Sequence, residues 1–323
     1  MKKKIIFALL PAVLLFSILE VGLRLSPLSE YLSRDYRLGS RFDHCVFWKP
    51  APPERNPLGI YYDYKKQFRG IYYDKKKAEG VFRIICLGGS STWGWPLPDT
   101  KRIYPALLEV MLNSHFPDRR FEVINAGVGG YSSFQDLMYL KNSLLEYSPD
   151  VVTICAGAND SHNNSDIHVA MTDREYWEYL QKKINKQPLA GQVILSAWER
   201  FFMNFRVYNA MSEIMFRMGN KPKRRVPVSD FTDNMEELIR LGRQNNFKVF
   251  FITEAHRKRD VIAKYNEVLQ RFAGSQEGVF FVDTRLLLDD DSYFIGQMHP
   301  TYDGHKIIAA AVFDALAASG AID

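Results

Sequence analysis

Four stretches hold residues that could do chemistry together: Gly88-Gly89-Ser90-Ser91-Thr92-Trp93-Gly94, Asn125-Ala126-Gly127-Val128-Gly129-Gly130, Gly157-Ala158-Asn159-Asp160 and His299-Pro300-Thr301. Each of the first three follows a run of apolar, β-favouring residues, and the fourth stands near the C-terminus. A serine hydroxyl is a poor nucleophile until a base removes its proton. A histidine, whose imidazole titrates near neutral pH, can be that base. A tetrahedral intermediate carries an oxyanion that needs preorganised donors. The backbone amides of Ser90 and Gly130 and the side-chain amide of Asn159 could supply three. Ser90, His299, Gly130 and Asn159 are thus the parts of an acyl-transfer site. Singly, each has a plainer reading. Ser90 suits a turn or a phosphate-cradling Gly-rich loop, Gly130 a tight turn, and Asn159 a helix cap. His299 could be a packed surface histidine, as could His162, His168, His256 and His305. Their joint occurrence in this order favours the chemistry.

The elements that must position these residues follow from hydrophobic period. Phe82–Leu87, Phe121–Ile124, Val151–Cys155, Val249–Ile252 and Val279–Val282 read as buried strands. Between them, helical spacing marks Ile103 to Ser114, a helix capped by Ser132 or Ser133 with Phe134, Leu137, Met138, Leu144 and Leu145 on one face, and further helices through Phe231–Ile239 and Tyr265–Phe272. The last helix is expected from about Asp303 to Ala317. Strands alternating with helices imply right-handed crossovers and a parallel sheet covered on both faces, here a five-stranded α/β/α domain. In such a sheet ligands bind beyond the carboxyl ends of the strands, where Ser90, Gly130 and Asn159 all fall. By this topology His299, on the loop before the last helix, is the histidine that reaches the same edge.

The chain of 323 residues, 46% hydrophobic and 24% charged, is globular in composition, and its net charge of +5 is mild. The basic run Lys221-Pro222-Lys223-Arg224-Arg225 is too short and isolated for nucleic acid and reads as a solvated loop. Cys45, Cys86 and Cys155 match neither a disulfide framework nor a metal motif, so no metal and no cofactor is expected. Lys2, Lys3 and Lys4 precede the uncharged stretch Ile5–Leu19, and no small-residue cleavage site follows. Residues 1–25 are therefore expected to be an uncleaved signal anchor, a transmembrane segment with its lysines in the cytoplasm and the rest of the chain outside. Residues 26–79 form an aromatic-rich extension in which Ile60-Tyr61-Tyr62-Asp63 recurs as Ile71-Tyr72-Tyr73-Asp74, a possible hairpin. The main domain spans 80–323. A stretch of about 161–227, with Trp177, Trp198, Phe201, Phe202 and Phe205, breaks its rhythm as a helical insertion, either a lid or ordinary packing helices.

The four stretches resemble the blocks of the SGNH, or GDSL-type, hydrolase superfamily, over about residues 80–320. Gly88-Gly89-Ser90 stands where that family usually has Gly-Asp-Ser. The resemblance implies a flavodoxin-like three-layer fold and esterase, lipase or related acyl-transfer activity. It implies Ser90 as nucleophile, His299 as base, and Ser90, Gly130 and Asn159 as oxyanion hole; the anchor resembles membrane-tethered bacterial members. The family's triad acid lies three residues before the histidine, and here that position is Gly296. Three readings stay open: a backbone carbonyl orients His299 in a Ser–His dyad, one of Asp289, Asp290 or Asp291 swings in from upstream, or the protein is slow or inactive.

The expected function is a membrane-anchored serine esterase of the cell envelope, its partners being an ester substrate such as an O-acyl group on a glycan or a lipid, and the membrane. The alternatives are a lipase, lysophospholipase or thioesterase, with Trp93, Trp95, Pro96 and Leu97 lining an acyl pocket or merely packing in the core, and a catalytically weak envelope binding protein.

Overall fold

The strand-forming runs are apolar at nearly every position, as a sheet covered on both faces requires. The computed structural model of the chain describes residues 2–26, 40–43, 45–50, 68–163, 171–185, 202, 205–208, 210, 211, 214, 223–258, 260 and 262–322. Ahead of the main sheet stand helix α1 (Lys2–Leu25) and an antiparallel hairpin of β1 (Ser40–Asp43) and β2 (Phe47–Pro50). The sheet is built from β3 (Val81–Gly88), β4 (Arg120–Asn125), β5 (Val151–Ala156), β6 (Lys248–Thr253) and β7 (Val279–Val282). All pairs are parallel, in the order β4-β3-β5-β6-β7. This is the flavodoxin-like order, with the sheet's first strand, β3, second from one edge. Gly88 lies opposite Cys155, and Ala156 opposite Thr253, so three strands end at nearly one level.

Side chains alternate between two core layers, as the two-residue period of a strand dictates. Ile85, Leu87, Val152, Ile154, Val249 and Phe251 face one layer, with Phe134 and Leu137 of α4 (Ser133–Tyr139), Met235 and Leu238 of α7 (Val228–Asn245), and Val268 and Leu269 of α8 (Ala263–Phe272). Ile84, Cys86, Cys155, Phe250 and Ile252 face the other, with Leu108 and Leu112 of α3 (Tyr104–His115) and Val312 and Leu316 of α9 (Tyr302–Ala318). The chain is thus a three-layer α/β/α sandwich of the expected class. Two short helices, α2 (Ser90–Trp93) and α5 (Ala158–Ser161), begin just beyond β3 and β5. One more, α6 (Asp173–Asn185), lies within the stretch expected as an insertion.

The five strands and the last helix fall within a residue or two of their sequence reading. Ser132 caps α4 in a full capping box with Gln135, which satisfies two otherwise orphaned amides reciprocally. The helical face read through Leu144 and Leu145 is not one α-helix. The backbone widens into a π turn over Leu140–Leu144 and tightens over Leu145–Tyr147. Of the Tyr-rich echo, Ile71–Asp74 is not strand, and its expected partner lies outside the described residues. Among the described residues the extension carries the β1–β2 hairpin. Within the insertion, Trp177 packs edge-on against Phe134 of the core, with ring centroids 6.3 Å apart. Trp198 and Phe201 lie outside the described residues. Arg225 departs from the solvated-loop reading. It is 4% exposed and pairs with the fully buried Asp173 at 2.9 Å. An isolated buried guanidinium would be costly, and this pairing offsets it.

α1 carries Leu10, Val13, Leu14, Leu15, Ile18, Leu19, Val21 and Leu25 on its surface, each at least 48% exposed. Phe16 meets Phe205 edge-on, and Glu20 accepts a hydrogen bond from the Val207 amide at 2.9 Å. Among the described residues no helix is long and apolar enough to cross a membrane.

Candidate active site

Ser90 opens α2 immediately after the Gly88-Gly89 turn. Close approach of backbone requires glycine at 88, and at 89 the neighbour is a side chain. Gly88 has φ +146°, and a Cβ there would lie 2.5 Å from the Cys155 carbonyl oxygen. A Cβ on Gly89 would lie 2.5 Å from Asn159 Nδ2. The aspartate that the resemblance places at 89 would therefore collide with the asparagine as it stands here. Glycine lets the Asn159 amide close over the turn.

His299 arrives from the far end of the chain. It lies in a tight hairpin of β8 (Phe294–Ile295) and β9 (His299–Pro300), in which Ile295 pairs with His299. Ser90 Oγ and His299 Nε2 stand 2.9 Å apart, within hydrogen-bond distance. Burial lowers the His299 pKa below its ordinary value, because desolvation disfavours the imidazolium. The ring is then a free base at neutral pH, as proton abstraction from Ser90 requires.

Asn159 Nδ2 donates to the Tyr131 carbonyl at 2.9 Å. An amide nitrogen has two protons, so a second remains to give. Gly130 takes φ +80° next to that carbonyl. Its own carbonyl accepts from Arg225 Nη1 at 2.7 Å, and Arg225 also donates to Gln135 and Asp173. Trp48 of β2 covers the same turn: its Cζ2 would lie 3.4 Å from a Cβ on Gly130, and its backbone carbonyl accepts from Tyr131 Oη at 2.6 Å. Ser90, Gly130, Asn159 and His299 are each partly exposed, while Gly89, Ser91, Tyr131, Ala158, Asp160, Met298 and Pro300 beside them are buried. The four expected residues are thus each partly accessible beside a buried neighbour.

The other candidates fall elsewhere. Asp291 pairs with Arg257 Nε at 2.9 Å and is 77% exposed. Asp290 accepts from the Ser292 amide at 2.7 Å, and Asp289 is exposed. Among the described residues none of the three bonds His299. Gly296 takes φ +71° at the turn, with open space where a Cβ would project. His305 is buried, its Nδ1 accepts from the Tyr104 amide at 3.3 Å, and burial lowers its pKa to about 3. It is a neutral core group. His256 accepts from the Lys258 amide, and His168 lies outside the described residues. Trp93 is buried under the Arg69 guanidinium, 4.1 Å from its ring centroid, while Trp95 stacks on Trp93 and is 39% exposed.

Two residues near the site were not anticipated. Arg225 was hidden in a charge run. Glu254, at the end of β6, has no sequence partner and no motif, and its placement is visible only in three dimensions. It is 3% exposed, and burial raises its pKa to about 7.

A serine within reach of a histidine, beyond the carboxyl ends of a doubly wound parallel sheet, defines a class of α/β hydrolytic enzyme. Within that class, residues 86–307 match the GDSL-like lipase/acylhydrolase family, and the chain belongs to it. The chain is a hydrolase of ester bonds. No curated protein matches the sequence. Similar solved structures include LAE5, an α/β hydrolase enzyme from the metagenome of Lake Arreo, Spain, at 18% identity, covering 77% of this chain and 99% of that one with a TM-score of 0.47. Another is Axe2, an acetylxylan esterase from Geobacillus stearothermophilus, at 15% identity, covering 73% and 94% with a TM-score of 0.48.

Proposed function

We propose that this hydrolase is a serine esterase with Ser90 as nucleophile and His299 as base. The observation that carries the reading is the 2.9 Å approach of Ser90 Oγ to His299 Nε2 beside the Asn159 amide. In the proposed sequence His299 Nε2 takes the Ser90 proton as Oγ bonds to the ester carbonyl carbon. The oxyanion is held by the Ser90 and Gly130 amides and Asn159 Nδ2. Collapse breaks the ester C–O bond, and the imidazolium gives its proton to the departing alcohol. Water, deprotonated by His299, then frees the acid and restores Ser90.

The same reading divides the chain into an anchor over 1–25, an extension over 26–79 and a hydrolase domain over 80–323 with an insertion at about 161–227. Support for the anchor is the lysine cluster at the start of α1 and the apolar side chains on its surface. An envelope-facing domain would meet O-acyl esters of glycans. A lipid ester is the second reading, favoured by the exposed Trp95 near Ser90.

The test is a fluorophosphonate probe followed by hydrolysis of aryl acetate and aryl palmitate. Ser90 should label, and Ser90→Ala should not. Asn159→Ala should lower kcat by about 10²–10³ with little change in KM, since the donor acts on charge that develops in the transition state. An unlabelled, folded wild type would instead make the chain a binding protein of the same fold.

A further inference from the structure

The Glu254 side chain bonds two loops of the proposed site directly and reaches the His299 loop through Ser91. Its Oε2 accepts from the Ala158 amide at 2.8 Å, and its Oε1 lies 3.1 Å from Ser91 Oγ. Ser91 Oγ lies in turn 3.3 Å from the Met298 carbonyl oxygen. Ser91 follows Ser90, Ala158 precedes Asn159, and Met298 precedes His299. Each bond therefore ends one residue from a member of the site. Apolar packing runs the same way, with Met298 and Ala158 buried together with Ile262. Asn266 Nδ2 donates to the Glu254 carbonyl at 3.2 Å and fixes the backbone of the strand end.

We infer that Glu254 and Ser91 are positioning residues, which set Ser90, Asn159 and His299 in register and do for the His299 loop what an acid at 296 does for the family's histidine. The inference rests on the esterase reading above. The hydrogen-bond arithmetic supports it. Ser91 has one hydroxyl proton and two acceptors within reach, so an ionised Glu254 would compete with Met298 for it. A protonated Glu254 donates to Ser91 Oγ, and Ser91 donates onward to Met298. Burial and the facing Asp160 carboxyl favour that proton, while Asp136 and Cys155 also face Glu254. A glutamine can reproduce the pattern, its oxygen accepting from Ala158 and its NH₂ donating to Ser91.

The experiment compares Glu254→Gln, Glu254→Leu and Ser91→Ala in aryl acetate hydrolysis, with thermal melting as the check on folding. Misplacement of reacting groups by about 1 Å costs up to about 10²-fold in rate. Glu254→Leu and Ser91→Ala should therefore lose about 10- to 100-fold in kcat with KM within a few fold. Glu254→Gln should stay within a few fold of wild type. Ser91→Ala leaves the Ala158 bond intact, so it decides the matter if Glu254→Leu does not fold. Wild-type kcat in Ser91→Ala overturns the inference, as does a Gln variant as slow as the Leu variant. If wild-type turnover does not depend on Ser90, the esterase reading falls and this inference with it. Ser90-dependent turnover with unaffected Ser91 and Glu254 variants sinks the inference alone.

Discussion

His299, the base in the proposed mechanism, sits on a turn that carries glycine at 296 in place of the family's acid. Gly296 occupies the left-handed region at φ +71° to close the β8–β9 hairpin, a conformation that side chains other than Asn or Asp rarely adopt. Arg257 reinforces that geometry, donating to the Gly296 carbonyl at 3.1 Å and taking up Asp291 in an ion pair. Asp290 and Asp291 are thus engaged at the surface, and Asp289 is exposed there. Single replacement of Asp289, Asp290 or Asp291 by Asn should leave kcat within a few fold, whereas Ser90→Ala and His299→Ala should abolish turnover. A loss approaching the roughly 10⁴-fold that follows removal of a triad acid, in any one folded Asn variant, would identify that residue as the acid and end the dyad reading.

At the scale of elements, the β1–β2 hairpin is part of the wall of the site. Trp48 packs on the Gly130 turn, meets Tyr131 edge-on with centroids 5.7 Å apart, and lies under Arg225. Tyr131 supplies the carbonyl that holds Asn159. Trp48→Ala should loosen that turn and lower kcat about tenfold, a barrier increase of about 1.4 kcal/mol. Trp48→Phe, which keeps a ring, should fall less. Wild-type kinetics in Trp48→Ala, measured on the same aryl acetate, would reduce the hairpin to surface packing. The sheet was legible because each strand is a short apolar run ended by a glycine or polar residue, and parallel topology then sends Ser90, Asn159 and His299 to one edge. The hairpin was not, because Ser40–Pro50 has no strand-like alternation, and the more visible Tyr-rich echo drew the pairing to residues 60–74. The π turn at Leu140–Leu144 escaped for a similar reason: its leucines fit a continuing α-helix. Arg225 and Glu254 escaped because a side chain's burial is decided by elements distant in sequence.

For the whole molecule, the consequence of this design is a set of buried carboxyls beneath the site. Asp136, Asp160 and Glu254 are all raised by burial, Asp160 to about 6 and Glu254 to about 7. An acid whose pKa is higher folded than unfolded binds its proton more tightly in the native state. Its contribution to stability is whole below the unfolded value, near 4.5 for Glu254, and is lost as the pH rises through about 7. His305 acts in the opposite direction. Its pKa falls to about 3 on folding, so its contribution is whole above the ordinary imidazole value and is lost as the pH falls. Stability of the wild type against pH is therefore a balance, and a variant is needed to isolate one term. Glu254→Gln keeps the shape and donor pattern of the protonated acid and cannot ionise. Relative to wild type it should gain stability between pH 5 and pH 8, by at most roughly 3 kcal/mol for a shift of this size. Urea unfolding of both proteins at the two pH values measures it. An identical difference in unfolding free energy at pH 5 and pH 8 would mean that Glu254 does not hold its proton in the native state, and that Ser91 and Met298 share their hydrogen bond with a carboxylate instead.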